Sequence, residues 1–307
     1  MKTVKINKFS TVLPKKGAFT IETDPDFPKL HTLCIASGKR GGGKSVAVAN
    51  FVKKAKDKGY YDLCILITPT YNSNKSIWDI ADIQPEDVYE PTMDVLKTVI
   101  ARVEADKQEW EDFLKQKELY KKYKKDISEK PFNKICNYDL LDYTEAGFMN
   151  PNFCKAKWKY KIEQAPRVSL VVDDSLGTDL MARRNAGLTN LCIRHRHIAD
   201  GLGISIFLLV QSYCAQGGVA RAIRENCTAL MLFKISDDKQ IAKVREEADL
   251  PITEEEWFKM CDYAHSQPFN FLMCDFSPKC EKKRFRSGFD TFLVPESLTC
   301  KCSPKCK

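Results

Sequence analysis

The chain has 307 residues, 43% of them hydrophobic and 29% charged, with 49 Lys+Arg against 41 Asp+Glu for a net charge of +8. Such proportions are those of a soluble globular protein, either one large α/β domain or one domain with an appendage, and the basic balance suits a polyanionic partner without proving one. No apolar run approaches a membrane span and the N-terminus lacks the apolar core of a signal peptide, so an intracellular protein with no membrane span is expected.

Residues 1–30 are polar, carry prolines at 14, 25 and 28, and read as an irregular or two-stranded lead-in. Thr32-Leu33-Cys34-Ile35-Ala36 then forms a short apolar run of the kind that makes a buried strand. It leads into Gly38-Lys39-Arg40-Gly41-Gly42-Gly43-Lys44-Ser45, which fits the phosphate-loop pattern G-x-x-x-x-G-K-[ST] at every fixed position. Val46 opens an apolar spacing that continues as a helix until Gly59. Glycines let successive backbone N–H groups turn inward around phosphate oxygens at the positive end of a helix. Lys44 is placed to reach the β- and γ-phosphates, and the Ser45 hydroxyl to help hold Mg²⁺. The stretch from Gly38 to Val46 is therefore the expected nucleotide-binding segment, for a nucleoside triphosphate with Mg²⁺.

A second buried strand is expected at Leu63–Thr68, closed by Pro69. Alternation of strands and helices predicts right-handed crossovers and a largely parallel sheet. Residues 92–165 break that rhythm. Met93, Leu96, Ile100, Val103, Trp110 and Leu114 recur at steps of three and four, interrupted by Lys107, and predict a long amphipathic helix. It runs into a stretch dense in lysine and aromatics. Two readings stand: a helical insertion that packs one face on the domain and leaves its lysines in solvent, which is favoured, or a surface facing DNA or a protein partner.

The sheet resumes with Val168–Val172, followed by Asp173-Asp174. An acidic residue at the end of a buried strand is what a Mg²⁺-dependent nucleotide site requires, so Asp173 is the candidate metal-holding aspartate. Asp174 is the candidate for polarising an attacking water, although an aspartate here would equally cap a helix. Further strands are expected at Ile204–Val210 and Ala229–Phe233, with helices near 188–199, 219–226, 236–248 and 253–265. Phe269–Cys274 and Phe285–Leu293 are expected to close the sheet as an antiparallel pair. Gln211 ends its strand on the edge where parallel sheets collect ligands, and is placed to sense the γ-phosphate or orient water. Arg221 and Arg224 are candidates for an arginine supplied from a neighbouring subunit, and Arg40 for one acting within its own chain. Arg194-His195-Arg196-His197 is either a phosphate contact or a helix end where cations favour the dipole.

Thirteen cysteines are many for such a chain. Most sit singly in apolar runs and are expected to be buried free thiols. The tail holds Cys300, Cys302 and Cys306, with Cys280 as a fourth candidate ligand. No paired C-x₂-C accompanies them, so a structural zinc is the lesser reading beside a basic tail that docks on nucleic acid or a capsid, or is disordered. The expected organisation is a lead-in over 1–30, an ATPase domain over 31–276 with its insertion, and a basic tail over 277–307.

Taken together, Gly38–Ser45, Ile67-Thr68-Pro69-Thr70, Val171-Val172-Asp173-Asp174, Arg196-His197 before the strand that ends at Gln211, and Ile223-Arg224-Glu225-Asn226 resemble the genome-packaging ATPases of poxviruses and other large DNA viruses and virophages, within the FtsK–HerA superfamily of DNA-pumping motors. The resemblance covers about residues 30–240; the insertion matches poorly and the cysteine tail is a departure. It implies an α/β P-loop NTPase of the ASCE type, ATP hydrolysis coupled to translocation of double-stranded DNA into a preformed capsid, and a ring of subunits, usually hexameric. It also implies a capsid or portal-vertex partner and a place in the host cytoplasm, the virus factory or the virion. By position it gives Lys44 and Ser45 to phosphate and Mg²⁺, Asp173 to the metal, Asp174 to the catalytic acid, Gln211 to the sensor and Arg224 to the finger. Another translocase or helicase of that superfamily, or a small-molecule kinase, is the alternative.

Overall fold

The computed structural model describes residues 21–24, 26–175, 177–181, 186–214, 219–235 and 237–298. In chain order the elements are β1 (Leu33–Ser37), α1 (Lys44–Asp57), β2 (Leu63–Ile67), α2 (Tyr71–Trp78), β3 (Val88–Tyr89), α3 (Val95–Glu129) and α4 (Asn137–Glu145). There follow β4 (Val168–Val172), α5 (Ala186–Arg194), the kinked turn α6 (Ile198–Gly201), β5 (Ile204–Val210), α7 (Arg221–Glu225) and β6 (Ala229–Phe233). α8 (Asp238–Glu247), α9 (Glu254–Ala264), β7 (Phe271–Asp275), β8 (Phe285–Ser287) and β9 (Thr291–Leu293) complete the order among the described residues.

One sheet organises these elements, in the order β3-β2-β4-β5-β1-β6-β7-β8-β9. From β3 to β6 every pairing is parallel, and from β6 to β9 every pairing is antiparallel. The continuous apolar runs explain the parallel part. Strands covered by helices on both faces have no solvent side, so they need no polar alternation. β1 shows the division: Leu33 and Ile35 enter the core on one face with α3, α5, α8 and α9, while Cys34 and Ala36 enter the core on the other with α1 and α2. The fold is a P-loop NTPase α/β sheet flanked by helices, and β5 stands between the P-loop strand β1 and the acidic strand β4.

The flanking segments are part of the same body. Phe27 is buried and stacks on Phe51 of α1 with ring centroids 4.7 Å apart. Arg286 of β8 donates to the Asp26 carbonyl at 2.5 Å. Residues 26–30 therefore pack on the domain, and a boundary at 276 cuts a continuous sheet, because β8 and β9 pair onto β7. Cys280 is buried; Cys300, Cys302 and Cys306 lie outside the described residues. Among the described residues no three metal-ligating side chains come together, and no helix is long and apolar enough to cross a membrane.

The insertion is helical, but its buried stripe differs from the expected one. Val95, Leu96, Val99, Val103, Asp106, Trp110 and Phe113 face inward, whereas Met93 and Leu114 are exposed. The interruption comes from Asp106, a fully buried carboxylate held by Arg102, Lys159 at 2.7 Å and Tyr160. A charged residue at the centre of a buried face hides the phase from a count of apolar positions, and its cost is met by cationic and hydroxyl partners. Beyond Phe113 the helix leaves the sheet, and Ile135, Tyr143 and Phe148 form a small separate core with Tyr120, Tyr123 and Phe153. Trp158 packs against Trp110 at 4.8 Å, so the aromatics between the lysines cement the insertion. Phe132 and Tyr138, by contrast, are exposed.

Candidate functional site

β1 ends at the sheet edge where the loop to α1 turns over, and the loop's course is fixed by its glycines. Gly43, just before α1, has φ +93°, a conformation that side chains with a Cβ rarely adopt. Gly38 is set by space. A Cβ there would lie 2.4 Å from Cβ of Phe233, a buried residue whose ring packs on Phe271 at 4.9 Å. Neither atom can move without shifting backbone, so Gly38→Ala is expected to cost about 1–3 kcal/mol of stability by overpacking. A denaturant midpoint equal to the wild type's would show that loop and strand yield freely.

Over this edge opens a cleft of about 710 Å³, lined by Arg40 through Ala47 of the loop and α1 and by Thr70, Ser73, Asn74 and Ile77 of the β2–α2 corner. Asp173, Asp174, Leu209, Gln211 and Phe269 complete its wall. Of the site residues expected from sequence, the structure thus brings together Arg40, Gly41, Gly42, Gly43, Lys44, Ser45, Val46, Asp173, Asp174 and Gln211, with Gly38 and Lys39 at the loop's entry. Lys44 is nearly buried, and its ammonium donates to the carbonyls of Gly38 at 2.8 Å and Lys39 at 3.0 Å. Burial holds its pKa below the usual lysine value, against the pull of Asp173 and Asp174.

Ser45 Oγ donates to Asp173 Oδ2 at 2.9 Å, joining the start of α1 to the end of β4. Asp173 is 5% exposed, and burial raises its pKa; the Ser45 hydrogen bond and Lys44 oppose that rise, and Asp174 adds to it. Asp174 is exposed and has φ +49°. Aspartate tolerates this left-handed conformation better than most residues, and such backbone is typical where a side chain is aimed for function. The hydroxyl of Ser45 and the carboxylate of Asp173 are hard oxygen donors side by side on the cleft wall. They fit Mg²⁺, which takes one or two carboxylates and keeps much of its water.

The two arginines of α7 are elsewhere. Arg224 is pinned: it donates to Glu247 at 2.7 and 3.1 Å, donates to the Val219 carbonyl, and lies 5.5 Å from the Tyr213 ring centroid. Arg221 is 82% exposed at its side chain and bonds along its helix to Glu225. Neither lines the cleft of its own chain. His195 is a buried tie, within 2.7 Å of the Cys192 carbonyl and 3.3 Å of that of His31, and burial lowers its pKa. Four contributors escaped the sequence reading. Thr70, Asn74 and Ser73 sit on a corner whose Thr68-Pro69-Thr70 turn was the only signal, with Asn74 donating to Thr70 Oγ1 at 3.1 Å. Phe269 gave none beyond a proline before it.

No family model matches the chain, and no curated protein does. Among solved structures it is similar to the pCW3 conjugation coupling protein TcpA with ATPγS, at 13% identity over 79% of this chain and 57% of that one, TM-score 0.37. It is similar to ATPases 2 and 3 of EssC from Geobacillus thermodenitrificans, at 8% identity over 89% of this chain and 41% of that one, TM-score 0.42. It is also similar to the genome packaging NTPase B204 of Sulfolobus turreted icosahedral virus 2 in complex with AMPPCP, at 10% identity over 86% of this chain and 97% of that one, TM-score 0.41. The chain therefore spans less than two thirds of the TcpA and EssC chains.

Proposed function

We propose that the chain hydrolyses ATP in this cleft and couples the turnover to movement of double-stranded DNA, as a motor that packages a viral genome into a preformed capsid. One observation carries the hydrolytic part: Lys44, the Ser45–Asp173 pair, Asp174 and Gln211 converge on a single cleft above the phosphate loop. Phosphate oxygens would draw the Lys44 ammonium from the loop carbonyls, exchanging two neutral acceptors for charged ones. Ser45 and Asp173 would hold Mg²⁺, which when bound supplies positive charge against the β- and γ-oxygens. Asp174, exposed at the cleft and held in a left-handed turn, would accept a hydrogen bond from the attacking water, and Gln211 would fix that water's orientation.

The DNA, the capsid or portal-vertex partner and a homo-oligomeric ring, hexameric by preference, rest on what the family resemblance of the sequence implies. One feature supports an arginine supplied in trans. Arg221 and Arg224 lie outside their own cleft, so either could serve only a neighbour's, and Arg221 has the freer side chain. The test is ATP hydrolysis by the purified chain with and without long double-stranded DNA. Stimulation of several-fold is expected. Hydrolysis indifferent to DNA, with a small acceptor phosphorylated instead, would show a kinase.

A further inference from the structure

Phe269 combines three properties that a core or surface phenylalanine does not need. It is 70% exposed, its φ is +62°, and it stands on the wall of the nucleotide cleft. The residues Gln267-Pro268-Phe269-Asn270 make a turn closed by Asn270 N–H to the Gln267 carbonyl at 3.4 Å, with proline second and the positive φ third. That third position belongs by preference to glycine, and a bulky side chain there is strained. Strain of this kind persists where the side chain it displays is of use.

The topology says where the ring is displayed. β7 runs antiparallel to β6, and Phe271 at its start pairs with Phe233 at the end of β6. The turn before β7 therefore emerges at the same sheet edge as the phosphate loop. It lies on the β6 side of β1, whereas Asp173, Asp174 and Gln211 follow strands on the other side. A triphosphate lying across the loop with its γ end toward those residues directs its base the opposite way, toward β6 and β7. Phe269 is also close to the loop itself, since a Cβ built on Gly43 would be 3.1 Å from Phe269 Cβ and 3.4 Å from its Cδ1.

We propose that Phe269 is the stacking platform for the base of the bound nucleotide. The proposal rests on the cleft being a nucleoside triphosphate site and adds to it the means by which the base is held. A π-face recognises any base by overlap, so purines of larger ring area bind better than pyrimidines, and adenine and guanine bind comparably as far as this ring decides.

The experiment measures binding of ATP and of inorganic tripolyphosphate, each with Mg²⁺, to the full chain and to Phe269→Gly and Phe269→Tyr, with melting temperatures of the free proteins. Phe269→Gly relaxes the turn while removing the ring. It is expected to melt no lower than wild type, to lose about tenfold in ATP affinity, and to bind tripolyphosphate unchanged. Phe269→Tyr keeps the π-face and is expected to bind ATP as wild type does. Equal loss for ATP and tripolyphosphate, or no loss for either, overturns the platform and leaves the triphosphate site standing. A wild-type chain that binds neither ligand overturns the triphosphate reading itself.

Discussion

Lys44→Ala is expected to lower ATP turnover by about 10²–10³-fold or more while leaving a folded protein. The free chain loses two hydrogen bonds, from the ammonium to the carbonyls of Gly38 and Lys39, each contributing about 0.5–1.5 kcal/mol net. That loss is partly recovered, because water entering the truncated space can satisfy both carbonyls. The nucleotide-bound state loses much more. Lys44 is buried, whereas the loop's Lys39 and Arg40 are exposed, so its charge is the less screened, and removal of one preorganised electrostatic donor costs about 10²–10³ in rate. Two measurements check this together. Wild type at ligand near 100 times its dissociation constant should gain about 2.7 kcal/mol from ATP–Mg²⁺, and Lys44→Ala should gain almost none. Turnover should vanish in parallel. Lys44→Arg should not restore it, since the guanidinium is a planar fork and the lysine seat between the two carbonyls accommodates a compact ammonium. A Lys44→Ala chain that hydrolyses ATP within a few-fold of wild type would place the active cleft elsewhere.

What the sequence disclosed follows a physical line. β1, β2, β4, β5 and β6 are strands buried on both faces, so their runs are apolar but for the small Ser37, Ser169 and Ser205 and stand out against helices and loops. Residues at the ends of such strands are fixed in space once the sheet is parallel, and for this reason Asp173, Asp174 and Gln211 can be assigned to one edge from the sequence. The phase of α3 was lost for the opposite reason. Asp106 is buried through long-range partners, Lys159 and Tyr160, that no local window contains. β3, of two residues, is too short to carry a pattern. Thr70, Asn74 and Phe269 reach the cleft because of how turns pack on the sheet, and local composition gives little sign of that. Arg221 and Arg224 could be named from the residues but not ranked by them, and the resemblance preferred Arg224. The structure separates them by their partners among the described residues, Glu247 and Tyr213 for Arg224 and the helix neighbour Glu225 for Arg221.

Asp173→Asn is expected to act in opposite directions on stability and on activity. In the free protein the Asp173 carboxylate is buried, accepts from Ser45 and from the Asp174 backbone N–H and, among the described residues, has no cation within ion-pair distance. Its pKa is raised, so the folded state favours the protonated form more than the unfolded chain does. The sign follows from that. Below the ordinary aspartate pKa of 3.8 both states are protonated and the fold bears no penalty. As pH rises from there through the raised folded value, the unfolded chain ionises first and stability falls, to remain lower at neutral pH. Asparagine has the same shape, can still accept from Ser45 through its carbonyl oxygen, and carries no charge. The free Asp173→Asn chain should therefore melt at or above wild type at pH 7, and the advantage should disappear below pH 3.8. Activity moves the other way. Removing the anionic oxygen that would face Mg²⁺ should cut turnover by about 10²–10³-fold and flatten the response to added Mg²⁺. A stability gain with an activity loss is the signature of a group kept at a cost for function. Were Asp173 merely a cap at the end of β4, the substitution would lower the melting temperature and leave turnover nearly intact, and the metal assignment would fall.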